Sequence, residues 1–596
     1  MTQEIIKWDL SVFYENINDP KIDKDIQDLE KAANSFFKKV KGKIEDSKLS
    51  PKLLTEWFKE YESISEKVFC LELYSTLIYR INSLDNEIKS FFSKIDEFKV
   101  RIQEKLLFFE LELNKVSDEN FKELIKAPEL KQYSHAIKFN RMKKPHQLSE
   151  KEEQVILMKD IAGVKGFIKL YSELKSSFLF DFEVDGEMKK LTEAELFAYM
   201  YQSNKDLRRK ALKLMMEKYT EHEMTFTHIF NNVLKDWDLE SKKKKFDAPI
   251  SRRNLENEVS DESVKICGEV TSNSYNIVEK YYNLKKRLLN LSELHMSDMY
   301  APVGTITRKY PYREALELIM GIDEKFYPEF KNIIITMDKL KHIDATPRKG
   351  KNRGAFCSHG KMKHYPFVFV NHTDTIDSVR SLAHELGHAF HAYYIQKDQN
   401  FINIDISLVV AEIASVFNEI LIFDSLMNED LSNNEKISLL CNFIESKFGT
   451  SHRQNAFYNF EMKIHALMEE KLPSTEDLKN FFAKEMENMF GNSMININEE
   501  YAPYCFIVSH FLQVPFYVYA YNMSNLLVIS IYQLYLEKKE EFIPKYIKLL
   551  SIGSSQSPEE MLSEIGINLN DPSFWEKGIK YLSDKVDELE DLMENL

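Results

Sequence analysis

The residues best equipped for chemistry in this chain lie at 384–388 and read His-Glu-Leu-Gly-His. Two histidines four apart on a helix stand one turn from each other and project the same way. Their imidazoles can then reach one zinc ion at about 2.0–2.1 Å each. Glu385 is rotated by about 100° from His384, which aims it at a water on such a metal rather than at the metal itself. Zinc hydrolases carry this HExxH pattern: the metal pulls the pKa of its water down towards about 7, and the glutamate accepts the proton as that water attacks.

Zinc needs a third protein ligand. A metzincin would supply it from a glycine-then-histidine extension after the second histidine, but His391 and Tyr394 occupy those two places, so that class is excluded. Downstream, the run from Ile406 to Leu421 reads as a second, apolar helix with Glu412, Ser415 and Glu419 on one face. A carboxylate on an apolar helix is costly to bury unless it is paired or metal-bound. Spacing alone leaves Glu412 and Glu419 as equal candidates for the ligand, the other then orienting a histidine.

These side chains need elements to hold them. Asp374 or Thr375 can cap the helix that bears the motif. Ile376, Val379, Ala383, Leu386, Phe390 and Tyr393 give that helix an apolar stripe. Gly387 inside a helix costs about 1 kcal/mol against alanine, so close packing is expected there. The run Tyr365–Val370 reads as a strand just before the helix and, as an edge strand, would offer free backbone groups to an extended peptide. The glycine-rich stretch Gly350–Gly360 reads either as a mobile loop closing over substrate or as a surface turn. Further upstream, Asp185-Gly186 between two short runs signals a hairpin, and Thr192 with Glu195 forms a capping box. That hairpin marks the seam between an N-terminal helical domain, 1–190, and a catalytic domain, 191–596.

Composition sets the frame. The chain has 596 residues, 43% hydrophobic and 29% charged, with only 16 glycines and 16 prolines, which argues for a globular, mainly α protein. A net charge of −15 disfavours nucleic acid or an anionic membrane as the main partner. Five scattered cysteines without a CxxC pair suggest reduced thiols and a cytoplasmic address. The N-terminus has no basic-then-apolar leader pattern. The apolar stretch Phe516–Leu536 is broken by Asn522, Ser524, Asn525 and Gln533, and reads as a buried helix rather than a membrane span. Cys357 with His359 and Cys505 with His510 lack the signature of a thiol–imidazole pair and read as packing cysteines.

The segments SLAHELGHAFH (381–391) and AEIASVFNE (411–419) resemble the oligoendopeptidase F family of zinc metallopeptidases. The resemblance spans nearly the whole chain. It takes in Trp8-Asp-Leu, the hairpin and capping box at 185–195, RKGKNRGAFC (348–357), and His510 followed by PFYVYAY (515–521). It implies a mainly helical, two-lobed fold around a deep substrate channel, with a small β patch beside the active-site helix. It implies one Zn(2+) per chain held by His384, His388 and Glu412, with Glu419 in support. It also implies that short unstructured peptides are cut internally, and that His510 and Tyr521, or Tyr517 one turn away, face the scissile bond, while Tyr519 points elsewhere. Asn371-His372-Thr373 departs from the family, which has an aromatic in the middle place. The two competing readings are an aminopeptidase, which would need a carboxylate anchor that residues 354–356 do not supply, and a silent peptide-binding protein, which would have no need of Glu385. Oligomeric state is left open.

Overall fold

The structure is a computed structural model that describes residues 4–44, 49–304, 306, 308–360 and 362–595. The first three residues of the N-terminal stretch read above lie outside the described residues. The chain is mainly helical, with five short strands among the described residues. It forms two compact units, each assembled from separated segments. The first comprises Met1–Lys144, Arg308–Leu426 and Lys538–Gly566, and the second Pro145–Thr307, Met427–Glu537 and Ile567–Leu596. Residue 190 lies in the second unit.

In the first unit, helices α1 (Pro20–Val40), α2 (Pro51–Ile81) and α3 (Asn86–Leu106) pack against one another. Each begins with a side-chain cap: Asp19, Ser50 and Asp85 accept from backbone N–H groups of the first turn. Their apolar faces share one core with Phe367 and Phe369. Trp8 closes that core, its indole Nε1 donating to the carbonyls of His342 at 3.0 Å and Val368 at 2.9 Å.

The hairpin is present in the second unit. Strands β1 (Phe180–Val184) and β2 (Glu187–Leu191) pair antiparallel, and Asp185 and Gly186 both take positive φ, 53° and 81°, as a type I′ turn demands. Thr192 and Glu195 form the expected capping box on helix Glu193–Phe197.

The patch before the motif is a three-stranded sheet of β3 (Ile343–Asp344), β4 (Phe356–Ser358) and β5 (Phe367–Phe369), in the order β3-β5-β4. The run read as an edge strand is thus the central one, parallel to β3 and antiparallel to β4. It is buried on both faces, and an unbroken apolar run is what such a strand requires. The edges belong to β3 and to β4, and β4 lies inside the glycine-rich stretch. Side chains tie down the first part of that stretch. Lys351 Nζ, buried, pairs with Asp344 at 2.7 Å and donates to the Val370 carbonyl at 2.6 Å. Asn371 Nδ2 donates to the carbonyls of Asn352 and Gly354. Arg348 forks onto the Asp344 carboxylate, both bonds at 2.7 Å.

Candidate metal centre

The motif lies on α4 (Ile376–Asp398), whose N-cap is Thr375: its side chain accepts from Ser378 N–H. Asp374 does not cap the helix; it takes φ = 58° in the turn before it. The next helix, α5, runs only from Ser415 to Met427, so Glu412 sits in a turn ahead of it rather than on a continuous helical face. Gly387 accounts for the meeting of the two segments. A Cβ there would stand 2.4 Å from the Ala414 carbonyl oxygen and 2.6 Å from Ser415 Cα. Glycine thus lets the chain that carries Glu412 lie directly against the helix that carries the histidines.

The outcome is a convergence of donors. Glu412 Oε2 lies 3.3 Å from His384 Nε2 and 3.4 Å from His388 Nε2, the two rings at 83° to each other. Tetrahedral ligands at about 2.0–2.1 Å from one zinc ion stand about 3.3–3.4 Å apart. These three residues could therefore hold a metal with little movement, leaving a fourth position for water or substrate.

The two glutamates divide their tasks by position. Ser415 donates to Glu412 Oε2. Glu419 instead stands behind His384, with Oε2 3.6 Å from Nδ1, while Arg380 donates to its Oε1 at 2.9 Å. A carboxylate behind an imidazole orients the ring towards a metal. Burial opposes charge on His384, but Glu419 and Glu412 outweigh it and raise the imidazole's pKa. Burial dominates at His388, which it keeps neutral at pH 7, the form that binds metal.

Glu385 is 6% exposed and its Oε2 meets no protein partner. Burial pushes its carboxyl up to about 7; the His384 imidazole opposes that rise and Glu412 adds to it. It lines a cavity of about 330 Å³ with His384, His388, Glu412, the edge strand around Cys357, and His359 and His391. Cys357 lies against this cavity, but burial and the neighbouring Glu385 charge hold its thiol well above its usual pKa, so it is no thiolate nucleophile. His372, the departure from the family pattern, is buried with Nε2 2.7 Å from the Tyr310 carbonyl, and packs against Tyr312.

His510, Tyr517 and Tyr521 form a separate cluster in the second unit. The His510 ring lies parallel to Tyr517 at 5.6 Å and edge-on to Tyr521 at 5.7 Å, and Tyr521 Oη is 3.4 Å from His510 Nε2. Tyr519 points away into the core, its hydroxyl accepting from Asn257 at 2.8 Å and its ring edge-on to Tyr458 of α6 (His452–Glu470). The stretch Phe516–Leu536 is largely α7 (Val518–Lys538), buried for most of its length. No single helix among the described residues is long and apolar enough to cross a membrane. Three residues that hold the site were not singled out in the sequence: Arg380, Asn418 (which donates to the Ala383 carbonyl at 2.9 Å) and Tyr546 (which donates to the Ile413 carbonyl at 3.2 Å). Arg380, one turn before His384, was within reach of the spacing argument. The other two are long-range contacts with no local signal.

A helix offering two imidazoles, a glutamate arriving from the next segment and a second glutamate buried with one oxygen unpartnered define a metallopeptidase. The chain belongs to peptidase family M3, whose sequence profile matches residues 198–581; the profile described as oligopeptidase F matches residues 112–180. Among relatives, the chain is 27% identical over 478 residues to oligopeptidase PepF of Bacillus subtilis, covering 79% of this chain and 70% of the relative. It is 24% identical over 594 residues to an oligoendopeptidase F homolog of Lactococcus lactis, covering 99% and 98%. Its fold is similar to that of a putative peptidase from Chlamydophila abortus (TM-score 0.86, 23% identity, 98% of both chains). It is also similar to oligoendopeptidase-F from Enterococcus faecium (TM-score 0.71, 19% identity, 97% and 99%).

Proposed function

We propose that this peptidase is a zinc-dependent endopeptidase of short unstructured peptides, with Glu385 as general base. The observation that carries the reading is the 3.3 and 3.4 Å convergence of His384, His388 and Glu412 beside a buried, unpartnered Glu385 oxygen. One zinc ion held by those three residues would polarise the attacking water and the scissile carbonyl. Glu385 takes the proton of that water on Oε2 and hands it to the leaving amine; its raised pKa, about 7, suits both transfers. Glu419 and Arg380 keep His384 turned towards the metal. His510 and Tyr521 offer an imidazole and a phenol as hydrogen-bond donors to the oxyanion of the tetrahedral intermediate, with Tyr517 as the alternative phenol. This assignment rests on the family resemblance and on the packing of the three rings.

The substrate backbone is read as pairing with β4, the edge strand beside Glu385, which carries little side-chain information and so favours broad sequence tolerance. Residues 191–596 are read as the catalytic part. A cytoplasmic address is favoured by five cysteines that are all free thiols, and is tested by cell fractionation.

The decisive experiment maps, by mass spectrometry, the products of the parent and of Glu385→Gln acting on a panel of unstructured peptides, with zinc at one equivalent. Internal cuts by the parent, reduced by about 10²–10⁴-fold in the variant, are expected. Stepwise loss of N-terminal residues would make the protein an aminopeptidase, and no cutting by either would leave a peptide-binding protein.

A further inference from the structure

The link between the helical turn His510–Gln513 and α7 is four residues long, and its third residue, Phe516, has φ = 56°. A bulky L-residue persists in this left-handed region only where its surroundings over-determine it. Three side chains do so here. Glu461, on α6, accepts the Phe516 N–H through Oε1 at 2.9 Å. Arg253 donates from Nε to the Pro515 carbonyl at 3.2 Å. The Phe516 ring lies 4.4 Å from the imidazole of His465, whose Nδ1 is 2.6 Å from Asp238 Oδ1. Glu461 and His465 are one turn apart on α6, so one helix presents both the acceptor and the stacking surface.

Glu461 is an odd residue to find there on grounds of stability alone. It is 2% exposed, and its Oε2 meets no protein partner. Burial pushes its carboxyl up to about 8, against the Phe516 N–H and the Arg253 charge. An apolar side chain of the same size would fill the space at less cost. What the carboxyl adds is direction: it ties one peptide unit of the turn that sets where α7 leaves His510, and hence where Tyr517 and Tyr521 stand against the imidazole.

We infer that Glu461 is a positioning residue for the peptidase reaction: through the Phe516 N–H it holds the left-handed turn that keeps His510 and Tyr521 in register for the reacting carbonyl. The inference rests on the assignment of those two residues to the reaction.

Three variants of the full chain test it: Glu461→Gln, whose amide oxygen accepts the same bond; Glu461→Asp, which keeps the carboxyl but falls one methylene short; and Glu461→Met, which keeps the volume and removes the acceptor. Each is assayed for kcat and KM on a fluorogenic peptide, for zinc content and for Tm, and each is repeated in a Tyr521→Phe background. Glu461→Gln is expected to keep kcat within about 3-fold. The Asp and Met variants are expected to lose kcat by about 10–100-fold at near-constant KM and one zinc per chain, since misplacement by about 1 Å costs up to about 10²-fold. In the Tyr521→Phe background, the same changes should cost less than about 3-fold more. Should Glu461→Met fail to fold, Glu461→Asp carries the test. Parental kcat in the Asp or Met variant, or equal losses in all three, overturns the inference. Parental kcat in Tyr521→Phe alone overturns instead the role of Tyr521 on which it rests.

Discussion

At the scale of the residue, Glu385 concentrates the tension of the site. Its buried carboxyl has a pKa pushed from 4.5 to about 7, so between those values the folded, metal-free protein binds more protons than the unfolded chain. Stability then falls as pH rises through that window, by up to about 3 kcal/mol, since each tenfold change in proton affinity is worth about 1.4 kcal/mol. The metal-free Glu385→Gln variant lacks this penalty. Its denaturation midpoint relative to the parent's is expected to rise between pH 5 and pH 8, and equal pH profiles would show that Glu385 is solvated. Glu419 acts at one remove: Glu419→Gln removes the charge behind His384 Nδ1 and leaves Arg380 with Asp377 as its remaining carboxylate. Zinc affinity, read by competition with a chromogenic chelator, is expected to drop about 10–100-fold, with kcat at saturating zinc little changed.

At the scale of the element, the site depends on how closely two segments approach. Gly387→Ala places a methyl 2.4 Å from the Ala414 carbonyl oxygen, a backbone atom that cannot rotate away. Either α4 or the turn bearing Glu412 must shift. The variant is expected to lose about 1–3 kcal/mol in chemical denaturation and to bind less than one zinc per chain. Full zinc binding at parental stability would mean that the segments separate freely. The edge strand makes its own demand. If β4 pairs with the peptide backbone, N-methylation of single substrate amides should raise KM at alternate positions and leave the intervening ones unaffected, because a strand presents its pairing groups to one neighbour at every second residue.

At the scale of the whole molecule, the first unit is built from segments far apart in the chain. Phe367 and Phe369, at the centre of the sheet beside the motif, are buried by the N-terminal helices and by Trp8. A fragment comprising 191–596 keeps the whole motif yet exposes that core. It is expected to be aggregated or molten by size-exclusion chromatography and circular dichroism, whereas a monodisperse, zinc-binding fragment would make the division at 190 one of folding as well as of sequence. The buried Asp344–Lys351 pair belongs to the same core. Lys351→Met leaves the Asp344 carboxylate with Arg348 and the Trp8 N–H, and is expected to cost about 3–5 kcal/mol in denaturant unfolding.

What could be read from the sequence was what local periodicity dictates. The helical repeat alone puts His384 and His388 on one face and Glu385 off it, the pair of positive-φ residues makes the 185–186 turn, and Thr192 with Glu195 caps the next helix. Each rests on residues within about one turn of one another, where backbone geometry leaves little choice. Spacing left Glu412 and Glu419 equal and the family resemblance named Glu412; the tertiary structure supplies the physical reason, because the turn before Ser415 brings Glu412 to both imidazoles and leaves Glu419 behind His384. Tertiary structure alone decided that β4 and not β5 is an edge strand, and that the buried carboxyl of Glu461 meets Phe516 across 55 residues. These are long-range pairings, set by which surfaces bury each other, and nothing in the spacing of neighbouring residues encodes them.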